Sequence, residues 1–283
     1  MEKIKQYPVF FSILVILSII LFNRIPLSIF LLHYGYPEFY AEKIENVIMY
    51  SIVVMAVLWF IWKNKIPFSL LKLNSINAVI FYLPLVFYIY IFSGGFSDFL
   101  NFDFSAVPFS KIVTYGIEDF SAAFLEEVLF RGLILGVLLW SYQGSQNFIL
   151  RSALVSSLLF GLLHFINIWT LPDIITVQSV FNQMYAAACL GFMYAATYLK
   201  TRSILILGVL HFLSNFFSGI DELADPETVL TAVVRENTIF ESIASQILTL
   251  IIFGIPLLIG LFVLKFTDEK DIEALGGKQS VTS

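Results

Sequence analysis

The stretch AAFLEEVLFRGLIL, residues 122–135, decides the fold class because it sets three charged side chains inside an apolar run. These side chains are Glu126, Glu127 and Arg131, and their neighbours on both sides are Ala, Phe, Leu and Ile. The run extends over roughly residues 110–140, whereas a helix needs only about 20 apolar residues to cross a bilayer. The stretch therefore predicts a membrane helix that buries two carboxylates and a guanidinium.

The whole chain has the same apolar character. Of its 283 residues, 59% are hydrophobic and 13% are charged, and the mean hydropathy is +0.87. A soluble domain is about half apolar and about a quarter charged. This composition predicts an all-α polytopic membrane bundle, and no basic run indicates a nucleic-acid partner. The single cysteine, Cys189, excludes a disulfide framework and is interpreted as a packing residue.

Eight apolar runs predict about eight transmembrane helices in one helical domain, residues 1–266, followed by a polar cytoplasmic tail, residues 267–283. Arg24 and Pro26 interrupt the first run, so a break is expected there, and no cleavage site follows it, so it is interpreted as an uncleaved span. Small residues in the fourth and sixth runs predict close helix packing. The runs cover roughly residues 8–32, 46–62, 77–93, 110–140, 151–170, 179–199, 203–219 and 243–264.

The distribution of lysine and arginine predicts that both termini are cytoplasmic. With eight spans and a cytoplasmic N-terminus, eleven cationic residues lie on the cytoplasmic side and three on the outer side, which is a clear positive-inside bias. The outer three are Lys43, Lys111 and Arg235. The short loops and the lack of a eukaryotic targeting feature favour a multi-pass protein of a prokaryotic cell membrane.

Ionisable residues are rare inside the predicted spans, and each one needs a partner. A charged residue at the bilayer centre costs about 2.5–3.5 kcal/mol, so these groups must face the bundle interior, form pairs or contact water. Glu127 and Arg131 are four residues apart on one helix face and predict an ion pair. Glu126 points about 100° away from Glu127. It is therefore predicted to remain outside the ion pair, where it can act as a general base.

Two further motifs supply the other groups of a hydrolytic site. His164 lies in the fifth span, and His211 and Asn215 lie one turn apart in the seventh. A base that removes a proton from water and neutral donors that stabilise an oxyanion suffice for hydrolysis. Glu118 and Asp119 are interpreted instead as a water-exposed helix end. The zinc-protease motif HExxH is absent from the sequence, as are the patterns of rhomboid and presenilin proteases.

Three motifs in order, Glu126-Glu127-x-x-x-Arg131, Phe160-x-x-x-His164 and His211-x-x-x-Asn215, resemble the CPBP (CAAX protease and bacteriocin-processing, or Abi) intramembrane proteases. This family includes the type II CAAX prenyl endopeptidases, and the resemblance covers residues 111–218. It implies an eight-helix bundle whose site opens toward the cytosol.

The resemblance also implies a role for each residue of the motifs. Glu126 would activate water and His164 would help to position it. His211 and Asn215 would form the oxyanion side. Glu127 and Arg131 would hold the fourth helix and tune Glu126. The cofactor is either none or a single zinc ion, for which Glu126, His164 and His211 are the candidate ligands.

The expected partners are the lipid bilayer and a membrane-associated peptide or protein substrate that is lipidated or strongly apolar. Two other functions fit the same residues. One is a non-catalytic bacteriocin self-immunity or scaffold protein of the same fold. The other is a proton-coupled transporter in which Glu126 and the histidines form a proton relay.

Overall fold

The computed structural model describes residues 2–71, 79–92, 95–170, 177–224, 239–267 and 272, and every regular element within these ranges is helical. This confirms the predicted all-α class. In chain order the α-helices are α1 (Glu2–Gln6), α2 (Pro8–Phe22), α3 (Ser28–His33), α4 (Glu38–Asn64), α5 (Leu83–Phe92), α6 (Gly95–Asn101), α7 (Phe109–Glu127), α8 (Leu135–Tyr142), α9 (Phe148–Leu163), α10 (Asn167–Thr170), α11 (Val177–Thr201), α12 (Ile204–Ser218) and α13 (Ile239–Leu264).

Shorter helical turns connect several of these helices. A π-helical segment, Val128–Ile134, joins α7 directly to α8. Four 3₁₀ turns complete the described elements; they cover Ile80–Tyr82, Phe104–Ala106, His164–Ile166 and Ile220–Leu223.

Several helices are long and apolar enough to cross a membrane, so the chain is an integral membrane protein. Within the described ranges three helices meet this condition, namely Glu38–Asn64, Phe148–Ile166 and Ile243–Leu264. A fourth is added if Ile80–Ile91 and Gly95–Asn101, bent by 60°, form one span. The remaining predicted spans are helices that are shorter or less apolar. Eight spans and two cytoplasmic termini therefore stay predictions.

The first predicted span is broken where the sequence indicates. The helix α2 ends at Phe22 and α3 begins at Ser28, with Arg24 and Pro26 in the connection. At the other end of the chain, residues 268–271 and 273–283 lie outside the described residues. The predicted polar tail therefore stays a prediction.

The long helices have defined directions relative to α7. The helix α4 runs parallel to α7, because Asn46 contacts Glu118 near one end while Ile61 lies beside Gly132 near the other. The helix α12 runs antiparallel to α7, because the Tyr115 hydroxyl donates to the Gly219 carbonyl over 2.9 Å while Phe124 packs on Gly208. The α7–π–α8 rod thus lies between α4 and α12.

Small residues bring α9 and α11 into backbone contact, as predicted. A Cβ atom added to Gly161 would lie 2.6 Å from the Met184 carbonyl oxygen and 3.2 Å from the Ala188 amide nitrogen. On α8, a Cβ atom at Gly136 would lie 2.9 Å from the Pro67 carbonyl oxygen. These glycines allow the close helix approach on which packing within a membrane depends.

Candidate active site

The catalytic candidates on α7 lie at the start of the π-helical segment. Glu127 is the last residue of α7, and each residue of Val128–Ile134 is buried. The apolar run predicted one continuous membrane helix over roughly residues 110–140, and the π-helical segment interrupts its α-helical geometry. A π turn is wider than an α turn, and such turns occur frequently at functional sites. The predicted pair nevertheless forms, because Nη1 of Arg131 lies 3.2 Å from Oε1 of Glu127.

Both glutamates face one imidazole. Nδ1 of His211 donates a hydrogen bond to Oε1 of Glu127 over 2.9 Å. Nε2 of the same ring lies 3.6 Å from Oε2 of Glu126. Glu126 thus lies outside the Glu127–Arg131 pair, as the helix geometry predicted, and its neighbour is His211. The two carboxylates diverge around α7, and His211 on α12 occupies the angle between them.

The guanidinium of Arg131 is enclosed on several sides. It lies 4.7 Å from the ring centroid of Phe160 and 5.1 Å from that of Tyr194. Its Nη2 donates to the Gly191 carbonyl over 3.3 Å. Aromatic faces stabilise a desolvated cation, so Arg131 is compensated by two rings as well as by Glu127.

Tyr194 is a site residue that the sequence motifs did not identify. Its ring stacks on His211 with a centroid distance of 5.1 Å and an interplanar angle of 28°. It is fully buried on α11. Its only signal in the sequence is a phenol within a run of Ala and Gly. That pattern does not reveal that Tyr194 contacts His211, which lies on another helix.

His164 lies at the end of α9, half-buried, with Nδ1 3.1 Å from the Phe160 carbonyl oxygen. Donation from Nδ1 to this carbonyl leaves Nε2 available. The Phe160 ring is edge-on to both imidazoles, with centroid distances of 5.4 Å to His164 and 6.1 Å to His211. Phe160 therefore connects the two histidines by ring contacts.

Asn215 lies one turn beyond His211 on α12 and is partly buried. Its backbone carbonyl accepts the Gly219 amide over 2.8 Å. Among the described residues, no hydrogen bond joins the Asn215 side chain to Glu126, Glu127 or His211. The structure thus brings together Glu126, Glu127, Arg131 and His211. It leaves His164 and Asn215 beside this group.

The interpretation of Glu118 and Asp119 as a water-exposed helix end is wrong. Glu118 is buried, and it accepts hydrogen bonds from Lys43 Nζ over 3.2 Å and from Asn46 Nδ2 over 3.0 Å. Asp119 is partly buried on the next position of the same helix. The sequence does not show that α4 lies along α7, so it does not reveal these partners.

The zinc hypothesis receives no support from the geometry of the donors. Within the part of the chain that the structure describes, no group of three His, Cys, Asp or Glu side chains is arranged to hold a metal ion. Both ring nitrogens of His211 face carboxylates, and His164 bonds to a backbone carbonyl. No catalytic step is therefore derived through a metal.

Comparison with known proteins identifies the region that carries this site. A family model described as "Type II CAAX prenyl endopeptidase Rce1-like" matches residues 108–217. This region is therefore similar to the Rce1-like CAAX proteases. The Rce1-like region contains all three motifs, and its bounds differ from the predicted 111–218 by three residues and one residue. No curated protein and no solved structure matches the chain.

Proposed function

We propose that this protein is an intramembrane endopeptidase in which Glu126 activates the hydrolytic water. One observation carries the proposal: His211 lies between two glutamates of an Rce1-like region, bonded to one and open toward the other. The two carboxylates differ in access, because the Glu126 side chain is 28% exposed and the Glu127 side chain is 0% exposed. Glu126 can therefore meet water and substrate, whereas Glu127 can only position other side chains.

In this mechanism Glu126 accepts a proton from water as the water oxygen attacks the scissile carbonyl carbon. The carbon–nitrogen bond then breaks, and the same proton passes from Glu126 to the leaving amine. A single carboxyl thus serves as general base and then as general acid. His164 assists by holding the water through its available Nε2.

His211 supplies positive charge on the oxyanion side. Two carboxylates and one guanidinium leave one negative charge in the buried group, and an imidazolium at His211 balances it. Its Nδ1–H bonds to Glu127, which leaves Nε2–H for the developing oxyanion. The side-chain amide of Asn215 is the second donor. Donors that are already oriented stabilise such an oxyanion most effectively.

The substrate class follows from the surroundings of the site. Glu126 and His211 lie within a helical bundle whose outer surface is rich in exposed apolar side chains. Such a site is reached by peptides that are already attached to the membrane. We propose membrane-associated peptides that carry a lipid or a strongly apolar segment, among them CAAX-type tails and precursors of secreted peptides.

The experiment compares new protein N-termini in membranes that contain wild type, Glu126→Gln or Glu42→Gln at equal levels. Glu42 is an exposed glutamate on α4, so its variant controls for the loss of a carboxylate. We expect cleavages that disappear with Glu126→Gln and persist with Glu42→Gln. Identical N-termini in all three would contradict the proposal and support the immunity or scaffold function. Proton flux without cleavage would support the transporter.

A further inference from the structure

A cavity of about 740 Å³ lies at the C-terminal end of α4, away from the candidate active site. The last two turns of α4 and the segment that follows them form its walls. Its apolar lining residues are Leu58, Ile61, Trp62, Ile66 and Phe68, and its charged lining residues are Lys63 and Lys65. Trp62 is 78% exposed, and both lysines are exposed, so the cavity opens to the surroundings of the protein on their side.

The backbone at the end of α4 shapes this cavity. Lys65 is left-handed, with a φ of 53°, and it reverses the chain so that Ile66 returns to the helix. The amides of Lys65 and Ile66 donate to the carbonyls of Trp62 and Ile61 over 3.2 and 3.1 Å. Such bonds satisfy carbonyls that the end of a helix leaves without partners. The ammonium groups of Lys63 and Lys65 are therefore available to an anion.

The mouth of the cavity lies at the level of lipid headgroups. The helix α4 is apolar enough to cross a membrane and has 27 residues, which corresponds to a length of about 40 Å. The hydrocarbon core of a bilayer is about 30 Å thick, and about 40–45 Å with its headgroups. The ammonium group of Lys63 lies 4.6 Å from the ring centroid of Trp59. Tryptophan is typical of the membrane interface, which supports this level.

The charge around the mouth is positive and lacks a counterion. Residues 46–97 contain no Asp or Glu. In the part of the chain that the structure describes, no carboxylate forms an ion pair with Lys63 or Lys65. Basic groups at a membrane surface attract anionic lipid headgroups. The mouth of the cavity is thus complementary to a phosphate group.

The walls of the cavity favour an acyl chain over a peptide. The side chains that line it are apolar or are hydrogen-bond donors, and none of them is an acceptor. A peptide placed there would bury amide groups without side-chain partners, which is costly in an apolar environment. An acyl chain carries no such groups.

The inner wall of the cavity rests on the rod that carries the site. A Cβ atom added to Gly132 would lie 3.0 Å from the Phe68 ring and 3.3 Å from Ile61. A Cβ atom added to Gly136 would lie 2.6 Å from Ile66. One layer of side chains therefore separates the cavity from the π-helical segment and α8.

We propose that the cavity binds one anionic phospholipid of the surrounding bilayer. The phosphate lies between Lys63 and Lys65, and one acyl chain enters the cavity. The chain packs on Ile61, Ile66 and Phe68, and it supports the wall that holds the π-helical segment in place. This lipid is a ligand of the protein and not its substrate, so the proposal is independent of the proposed protease function.

The test is quenching of Trp62 fluorescence by brominated lipids. The other three tryptophans are replaced by phenylalanine, and the protein is placed in phosphatidylcholine bilayers. Brominated phosphatidylglycerol or brominated phosphatidylcholine with the same acyl chains is then added in increasing proportion. A lysine beside anionic lipid strengthens binding about fivefold, so two lysines predict a preference of about 25-fold for phosphatidylglycerol. The measurement requires no turnover.

Two double variants with the same loss of charge are compared. Lys63→Gln with Lys65→Gln should abolish the preference. Lys3→Gln with Arg151→Gln removes two exposed cations that do not line the cavity, and it should keep the preference. An equal loss in both double variants would overturn the proposal, because the attraction would then be general and not local.

Three further outcomes would also overturn it. Equal quenching by the two lipids would show that the lysines do not select a headgroup. Displacement of the brominated lipid by glycerol phosphate, present on both sides of the bilayer, would show that a headgroup without an acyl chain suffices. A lack of quenching by either lipid would show that a protein surface, such as a second copy of this chain, covers Trp62.

Discussion

At the scale of single residues, the site depends on how Arg131 is compensated. Arg131 is 1% exposed and lies beside Glu127, which is 0% exposed. Removing one member of a buried ion pair leaves the other charge without its counterion, at a cost of about 3–5 kcal/mol. Glu127 keeps its bond to His211 in that case, but His211 also faces Glu126, so one imidazole is left for two carboxylates.

We therefore expect Arg131→Ala to lower the free energy of unfolding by about 3–5 kcal/mol. The measurement is denaturant-induced unfolding of the purified protein in detergent. Arg151→Ala is the matched control, because Arg151 is exposed and contacts Tyr142 at 4.0 Å on the rim of the bundle. It should change stability by less than about 1 kcal/mol. Equal stability of the two variants would show that Glu127 and Arg131 do not depend on each other.

His211 belongs to the same group of charges, and in the proposed mechanism it stabilises the transition state instead of binding the substrate. If Nε2–H stabilises the oxyanion, His211→Ala should lower kcat by about 10²–10³ and leave KM nearly unchanged. The assay uses a substrate peptide obtained from the N-terminus comparison. Ser214→Ala on the next turn of α12 is a control that keeps both carboxylates and the imidazole. An effect of His211→Ala confined to KM would assign His211 to substrate binding.

The sequence predicts part of this site and not the rest, for a geometric reason. The spacing of Glu127 and Arg131 predicts their contact because both lie on one helix. The hydrogen bond between Glu127 and His211 joins residues 84 positions apart, and no local pattern fixes the rotation of α12 against α7. Tyr194 and Lys43 were missed for the same reason, since their partners also lie on other helices.

At the scale of helices, the glycines that bring α9 and α11 together are sensitive to one added methyl group. Gly161→Ala would place a Cβ atom 2.6 Å from the Met184 carbonyl oxygen, which is backbone and cannot move alone. Overpacking of this kind costs about 1–3 kcal/mol. The shift would also displace Phe160, which contacts both histidines.

We expect Gly161→Ala to lower the melting temperature and to reduce cleavage. Gly116→Ala is the matched control, because its Cβ atom would lie 3.6 Å from a flexible Phe216 side chain. Both substitutions raise helix propensity equally, so only the packing differs. The melting temperature is measured from thermal aggregation of the protein in detergent. Equal melting temperatures would refute the close approach of α9 and α11.

Most of the helices are predictable from sequence, whereas the π-helical segment is not. Apolar runs mark each long helix because a bilayer requires about 20 apolar residues in succession. In VLFRGLI all residues except Arg131 and Gly132 are large and apolar. The run therefore contains no spacing of polar and apolar residues that would distinguish a π-helix from an α-helix. The break near Pro26 was predictable, since proline and arginine are visible within an apolar run.

At the scale of the whole molecule, the charge distribution predicts one orientation. Eight of the twelve described Lys and Arg residues lie at the end of the bundle that contains the C-termini of α4, α8 and α11, and both α1 and the C-terminus of α13 lie at that end. We expect a reporter that works only in the cytoplasm to be active when it is fused at residue 2 or after residue 283. A reporter that works only outside the cytoplasm should be inactive at both positions. A fusion inserted after Ala106 serves as the opposite control. Reporter activity on the outer side for either terminus would contradict both the orientation and the even number of spans.

The π-helical segment makes the geometry of the proposed site depend on the number of residues in the segment as well as on their side chains. Each residue of an α-helix advances the chain by about 100°. Deleting one residue within Val128–Ile134 would allow a regular helix to form, and it would leave the composition almost unchanged. Glu126 and Glu127 would then rotate by about 100° relative to Gly132 and Gly136, which stay packed on residues 61–68. In evolutionary terms, the deletion of one codon here would disrupt the proposed site although both glutamates are still encoded.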